Sequence, residues 1–204
     1  MTPSTPPTIL IIDDDAAIGR SLKRLAEHAF GGYQVMWARN AVTGLDLVRQ
    51  HADGLRLIVL DIKMPLLDGT LAVAQIRQLA PHVPVMPFTS HEESLPMLIE
   101  MGCVQPILKR PERIAEMPAL MRRAMTATIA PLPDSAWVRA LQQSGNAVLT
   151  FVQKETFAGM LTMDQQAATN VQRAVALLDK YCRRIGTPAA REIQLARKAL
   201  GEVA

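Results

Sequence analysis

Apolar and polar residues follow one another in blocks along the first part of the chain. Thr8 to Ile12 is a short apolar run halted by three aspartates. From Ala16 to Phe30 the apolar positions Ile18, Leu22, Leu25, Ala26 and Ala29 recur with helical spacing. Gly31-Gly32 interrupts that helix, Tyr33 to Ala38 is rich in strand formers, and Ala41 to His51 returns to helical spacing through Val42, Leu45 and Val48. The alternation continues with strands at Arg56 to Leu60, Val83 to Phe88 and Val104 to Leu108. Between and after them it predicts helices at Leu71 to Leu79, Pro96 to Met101 and Glu112 to Thr126. Pro118 predicts a kink in the last of these or a late start.

Five strands that are apolar throughout, each followed by a helix, predict a doubly wound α/β domain with a parallel sheet covered on both faces. Ligands of such sheets bind beyond the carboxyl ends of the strands. There the sequence places Asp13-Asp14-Asp15, Asp61, Thr89-Ser90 and Lys109-Arg110. Carboxylates gathered in one crevice repel one another unless a cation neutralises them, and a set of hard oxygen donors suits Mg²⁺ completed by phosphate oxygens. An aspartate so placed can accept a phosphoryl group covalently, with Lys109 as a paired charge and Thr89 as a hydroxyl donor. Asp15 reads more simply as the cap of the first helix.

Three segments carry a resemblance: Ile9 to Asp15, Leu57 to Gly69, and Pro84 to Ser90. Each follows or contains a strand, and together they resemble the strand-end motifs of response regulator receiver domains of two-component signalling, over residues 8 to about 126. The resemblance implies a flavodoxin-like strand order 2-1-3-4-5, with Asp61 as phospho-acceptor and Thr89 as switch hydroxyl. It also implies a metal site of Asp13, Asp14, Asp61 and the backbone carbonyl of Lys63, and a sensor histidine kinase as partner. Two positions depart from the family pattern. Receivers carry Lys-Pro after strand five where this chain reads Lys109-Arg110-Pro111; spacing from Gly102 selects Lys109 for the lysine role, whereas counting back from Pro111 selects Arg110. A cis peptide after the lysine, natural before proline, would cost about 3 kcal/mol before Arg110. The aromatic position of strand five is Pro106, so the aromatic switch coupled to the hydroxyl is missing. The segment from Thr89 to Gly102 is short, which reshapes the surface of helix four, strand five and helix five that commonly dimerises in this family.

Composition narrows the class further. No apolar stretch approaches the roughly 20 residues of a membrane span, and the N-terminus has no secretory pattern, so the expectation is a cytoplasmic protein that does not enter membranes. Cys103 and Cys182 lack metal-ligand spacing and read as reduced, buried thiols. His28, His51, His82 and His91 have no partners at catalytic spacing. Met97, Met101, Met117, Met121 and Met125 read first as core filling and second as an adaptable interaction face. An enzyme reading, a metal-dependent phosphatase with an aspartate nucleophile, needs an acid two residues after Asp61, where the chain has Lys63. The expectation is therefore no enzyme beyond self-dephosphorylation.

The chain divides by pattern into an extended N-terminus (1–7), the receiver (8–128), a linker (129–133) and a small all-α module (134–204). Residues 1–129 balance 13 Lys+Arg against 13 Asp+Glu, and residues 130–204 hold 9 against 6, so the net charge of +3 resides in the module. Asp134-Ser135 can cap a helix to about Gln143, and Ser144-Gly145-Asn146 predicts a break. Val171, Val175, Leu178, Cys182 and Ile185 form a heptad seam, and Gly186-Thr187-Pro188 turns into a last helix carrying Ile193, Ala196, Leu200 and Val203. Two readings stay open. Lys180, Arg183, Arg184, Arg191, Arg197 and Lys198 suit a DNA-binding helix-turn-helix. The seam favours a module that dimerises or docks on a protein, because it accounts for the apolar residues directly.

Overall fold

A computed structural model describes residues 6–64 and 67–134 and, beyond these, residues 138, 139, 142, 143 and 146. The chain divides into two compact units, Met1–Leu132 and Pro133–Ala204. In the second, Pro133 and Asp134 are not helical, whereas residues 138, 139, 142, 143 and 146 are. Asn146 is among them, against the predicted break; asparagine costs a helix well under about 1 kcal/mol, too little to end one by itself. The heptad seam, the Gly186 turn, the last helix and Cys182 lie outside the described residues.

The first unit runs β1 (Thr8–Ile12), α1 (Ala16–Ala29), β2 (Gln34–Ala38), α2 (Ala41–His51), β3 (Leu55–Leu60), α3 (Gly69–Leu79), β4 (Val85–Thr89), a 3₁₀ turn at Glu92–Ser94, α4 (Leu95–Glu100), β5 (Ile107–Leu108) and α5 (Pro111–Met125). The strands form one parallel sheet in the order β2-β1-β3-β4-β5. This is the flavodoxin-like winding. Side chains of a strand alternate between its faces. Ile9, Ile11, Leu57, Val59, Met86 and Phe88 accordingly join Leu22 and Ala26 of α1 and Met117 and Met121 of α5 in one cluster. Leu10, Ile12, Ile58 and Leu60, also fully buried, alternate with them. On that other face a Cβ at Gly44 of α2 would strike the Ile12 side chain, so the glycine lets α2 lie close to the sheet. Each buried Leu, Ile or Phe stabilises the fold by roughly 1.5–3 kcal/mol, which is why strands without alternation end up central.

Polar residues at the helix starts do what their position suggests. Asp15, Asn40 and Asp68 cap α1, α2 and α3 with side-chain oxygens accepting from backbone N–H groups two or three residues on. Gly32 and Gly102 take positive φ where α1 and α4 give way to the next strand.

The sequence-predicted boundaries fail most at β5, expected from Val104 and observed only from Ile107. The Val104 N–H still reaches the Val85 carbonyl at 2.8 Å. Gln105 then adopts φ 46 and Pro106 offers no N–H, so the ladder breaks for two residues before Ile107 pairs with Phe88. Pro106 therefore precedes the strand instead of lying in it. The late start allowed for α5 does not occur: the helix begins at Pro111 and contains Pro118, which deprives the Ile114 carbonyl of its intrahelical donor. Met101, Met117 and Met121 are fully buried, in keeping with core filling, whereas Met97 and Met125 are half-buried. Among the described residues no helix is long and apolar enough to cross a membrane.

Candidate functional site

The carboxyl ends of β1 and β3 lie side by side, since Ile12 pairs with Leu60. The next residue of each strand is therefore an aspartate facing the same crevice. Asp13 and Asp61 are both buried, and Asp14 is half-buried. Carboxylate oxygens of Asp13, Asp14 and Asp61 lie within 4.8 Å of one another. The Asp61 main chain is fixed by its N–H to the Ile12 carbonyl at 2.8 Å. Its Oδ1 accepts from the Ile62 N–H at 2.7 Å and more distantly from the Lys63 N–H at 3.4 Å.

Lys109, the first residue after β5, reaches into the same crevice. Its Nζ lies 2.9 Å from Asp13 Oδ2 and 2.7 Å from Asp61 Oδ2, with only 11% of the side chain exposed. Arg110 does not take part: it is exposed and stands at the N-terminal boundary of α5. Of the two registers open in the sequence, Lys109 is the one whose cation sits against the acids. No cis peptide occurs among the described residues, the bond before Arg110 included.

Burial and pairing pull against each other here. Desolvation pushes the Asp13 carboxyl up to about 6, against the Lys109 ammonium that holds it down. Asp61 is likewise raised by burial, partly offset by Lys109 and by the Ile62 and Lys63 N–H groups. For Lys109, burial alone would lower the pKa, but its hydrogen bonds to Asp61 and Asp13 outweigh burial and hold it above the ordinary lysine value. Three ionised carboxylates and one ammonium leave a formal charge of −2. Oxygen donors carrying that charge within one small volume fit a divalent cation such as Mg²⁺.

Thr89 ends β4 fully buried; its Oγ1 accepts from the His91 N–H at 3.2 Å, and its carbonyl accepts from the Lys109 N–H at 2.7 Å. The peptide that carries Thr89 thus also aligns Lys109. Asp15 stays out of the cluster as the α1 cap, its carboxyl held low by the Ile18 and Ala17 N–H groups. Lys63 leads away from β3, and its ammonium lies 3.7 Å from Asp68 at the start of α3. Pro65 and Leu66, which follow, lie outside the described residues. His82 meets the Ala52 carbonyl and His91 pairs with Glu93, both away from any metal arrangement. Cys103 is buried, its thiol pushed up to about 12 by desolvation.

Two contributors were not legible in the sequence. Gly69 packs against the main chain after Asp61: a Cβ there would lie 2.5 Å from the Asp61 carbonyl oxygen and from the Ile62 Cα. Trp37 donates its indole N–H to the Asp13 carbonyl at 2.9 Å. The glycine stood inside the quoted motif, but its reason appears only in three dimensions. The tryptophan carried no signal beyond its place at the end of β2.

Comparison with known proteins agrees with this geometry. Residues 9–122, more than half of the chain, match the response regulator receiver domain family. The response regulator MprA of Mycobacterium sp. (strain KMS) is 32% identical over 123 residues, covering 58% of this chain and 52% of that protein. MprA of Mycobacterium avium (strain 104) is 32% identical over 120 residues, 56% of this chain and 51% of that one. The chain thus spans about half the length of the curated relatives it matches. Among solved structures, a two-component response regulator of the LuxR family from Aurantimonas sp. SI85-9A1 superposes with TM-score 0.52 at 26% identity, over 63% of this chain and 91% of that one. The non-phosphorylated HemR receiver domain from Leptospira biflexa gives 0.53 at 25% identity, over 61% and 98%. Family match, strand order and the acidic crevice at the strand ends agree: this chain belongs to the response regulator receiver domain family.

Proposed function

We propose that the protein accepts a phosphoryl group on Asp61 from a sensor histidine kinase or a small phosphodonor, and relays the signal in the cytoplasm through its C-terminal unit. The observation that carries the reading is the meeting of Asp13, Asp14 and Asp61 within 4.8 Å, closed on one side by Lys109. Asp13, Asp14 and Asp61, with the Lys63 carbonyl, are the groups that would hold Mg²⁺. When bound, the ion neutralises charge on the transferring group.

The chain's own residues supply the rest. Asp61 Oδ1 is engaged by backbone N–H groups, so Oδ2, which faces Lys109, is the oxygen that attacks phosphorus while the donor's bond to phosphorus breaks. The Lys109 ammonium, 2.7 Å from Asp61 Oδ2, then passes from the carboxylate to a phosphoryl oxygen, a move that needs no new cation. Thr89 supplies the hydroxyl that reads the new group. For output, the proposal is that phosphorylation changes self-association, through the face of α4, β5 and α5 or through the C-terminal unit, or changes docking on a protein. The sequence seam from Val171 to Ile185 favours this reading over DNA binding.

Incubation with acetyl phosphate and Mg²⁺ followed by intact-mass measurement tests the acceptor. Wild type gains one phosphoryl group and Asp61→Asn gains none; equal labelling would reject the assignment. Light scattering on a sizing column, with and without phosphorylation, tests the output. A monomer in both states would reject the self-association arm.

A further inference from the structure

Strand β2 grips Asp13 from both sides of the residue. The Asp13 N–H donates to the Ala38 carbonyl at 3.1 Å, and the Asp13 carbonyl accepts from the Trp37 indole N–H at 2.9 Å. That carbonyl belongs to the peptide joining Asp13 to Asp14, so holding it sets the plane from which both side chains depart. The consequence is greatest for Asp14. Asp13 is anchored through its carboxylate by Lys109 and the Asp15 N–H, whereas Asp14 forms no hydrogen bond or ion pair among the described residues. Where the Asp14 carboxylate lies depends on its backbone.

Room for the indole comes from α1. A Cβ at Gly19 would fall 2.2 Å from Trp37 Nε1 and 2.3 Å from Cε2, closer than any real contact. Glycine in a helix interior is a poor choice on propensity, and here the missing Cβ is where the ring sits. The exposed Arg39 adds a cation–π contact, its guanidinium 6.0 Å from the ring centroid. Gly19, Trp37 and Arg39 therefore form a socket that aims one N–H at one carbonyl.

We propose that Trp37 is a positioning residue for the metal-holding turn, fixing the Asp13-Asp14 peptide through its indole N–H so that the carboxylates are presented to a divalent cation. This rests on reading those carboxylates as a Mg²⁺ site. Phenylalanine at 37 fills most of the same volume and cannot donate. Alanine at 19 leaves the donor in the sequence but drives the ring from its socket.

The test is thermal melting of the full 204-residue chain across a MgCl₂ titration, reading the Mg²⁺ concentration at half of the maximal stabilisation. Trp37→Phe raises that concentration about three- to tenfold, the range expected on losing one neutral hydrogen bond behind a ligand. Gly19→Ala raises it similarly, and the double variant adds little, because the same bond is already lost. An unchanged half-saturation in Trp37→Phe overturns the proposal, whatever its effect on the metal-free melting temperature. Should Trp37→Phe fail to fold, Gly19→Ala carries the test with the same two outcomes. Asp13→Asn, which abolishes the Mg²⁺ response, separates the layers. A wild type without response overturns the metal reading and this one together, whereas a responsive wild type matched by Trp37→Phe overturns only the role of Trp37.

Discussion

Replacing Lys109 with methionine keeps most of the length and the apolar stem of the side chain and removes its charge. In the structure that charge is the partner of two buried carboxylates, 2.9 Å from Asp13 and 2.7 Å from Asp61. All three side chains are nearly inaccessible, so the exposed-pair value of 0–1 kcal/mol does not apply. Breaking a buried pair by removing one partner costs about 3–5 kcal/mol, because the charge left behind is uncompensated. At about 4 °C per kcal/mol, that lowers the melting temperature of the metal-free receiver unit by roughly 12–20 °C. The loss depends on pH with a definite sign. Burial raises the Asp13 carboxyl from 3.8 to about 6, so its desolvation penalty is absent below pH 4 and complete above about 6. Lys109 opposes that rise, and without it the carboxyl moves higher still. The destabilisation of Lys109→Met is therefore small near pH 4 and grows through pH 6 and beyond. Melting of both proteins from pH 4 to 8 in EDTA, followed by circular dichroism, measures this. A loss below 1 kcal/mol at pH 8, or a loss equal at both ends of the range, would refute the view that Lys109 acts as counter-ion to ionised acids.

Gly69→Ala tests the packing behind the acceptor. The added Cβ meets backbone atoms at 2.5 Å that cannot rotate away, so urea unfolding should show a loss of about 1–3 kcal/mol, the usual cost of overpacking, together with slower labelling of Asp61 by acetyl phosphate. A variant as stable and as fast as wild type would contradict the close approach. Cys103, buried and with its thiol pushed up to about 12, should resist a thiol reagent at pH 8 until denaturant is added. In a Cys182→Ser background, prompt modification of the native protein would show that the site opens.

Legibility in the sequence followed how local each determinant is. The strands of the sheet and the Asp15 cap depend on neighbours within four residues, and an apolar run ending in aspartate says where the strand stops. The acids were readable as one site because the winding of a parallel sheet brings strand ends together by rule. β5 was read too long because its break turns on a positive φ at Gln105, a conformation no periodicity encodes. Lys109 was preferred to Arg110 on spacing from Gly102 alone, for a related reason: which cation enters the crevice depends on the β4 to β5 ladder, where the Thr89 carbonyl receives the Lys109 N–H. Arg77 shows the limit more sharply. In sequence it is one more helical arginine, yet it is buried, and its guanidinium donates to the Pro81 and Ala130 carbonyls, joining residues 53 apart.

We propose that Asp61 is the residue that becomes phosphorylated. Borohydride reduction of an aspartyl phosphate converts that residue to homoserine, and tryptic cleavage after Arg56 and Lys63 releases Leu57–Lys63, in which Asp61 is the sole carboxylic side chain. Tandem mass spectrometry of this peptide, after treatment of the protein with acetyl phosphate and Mg²⁺, should show homoserine at position 61 and none when Mg²⁺ is replaced by EDTA. An unmodified Leu57–Lys63 peptide alongside homoserine at Asp13, Asp14 or any other aspartate would contradict it.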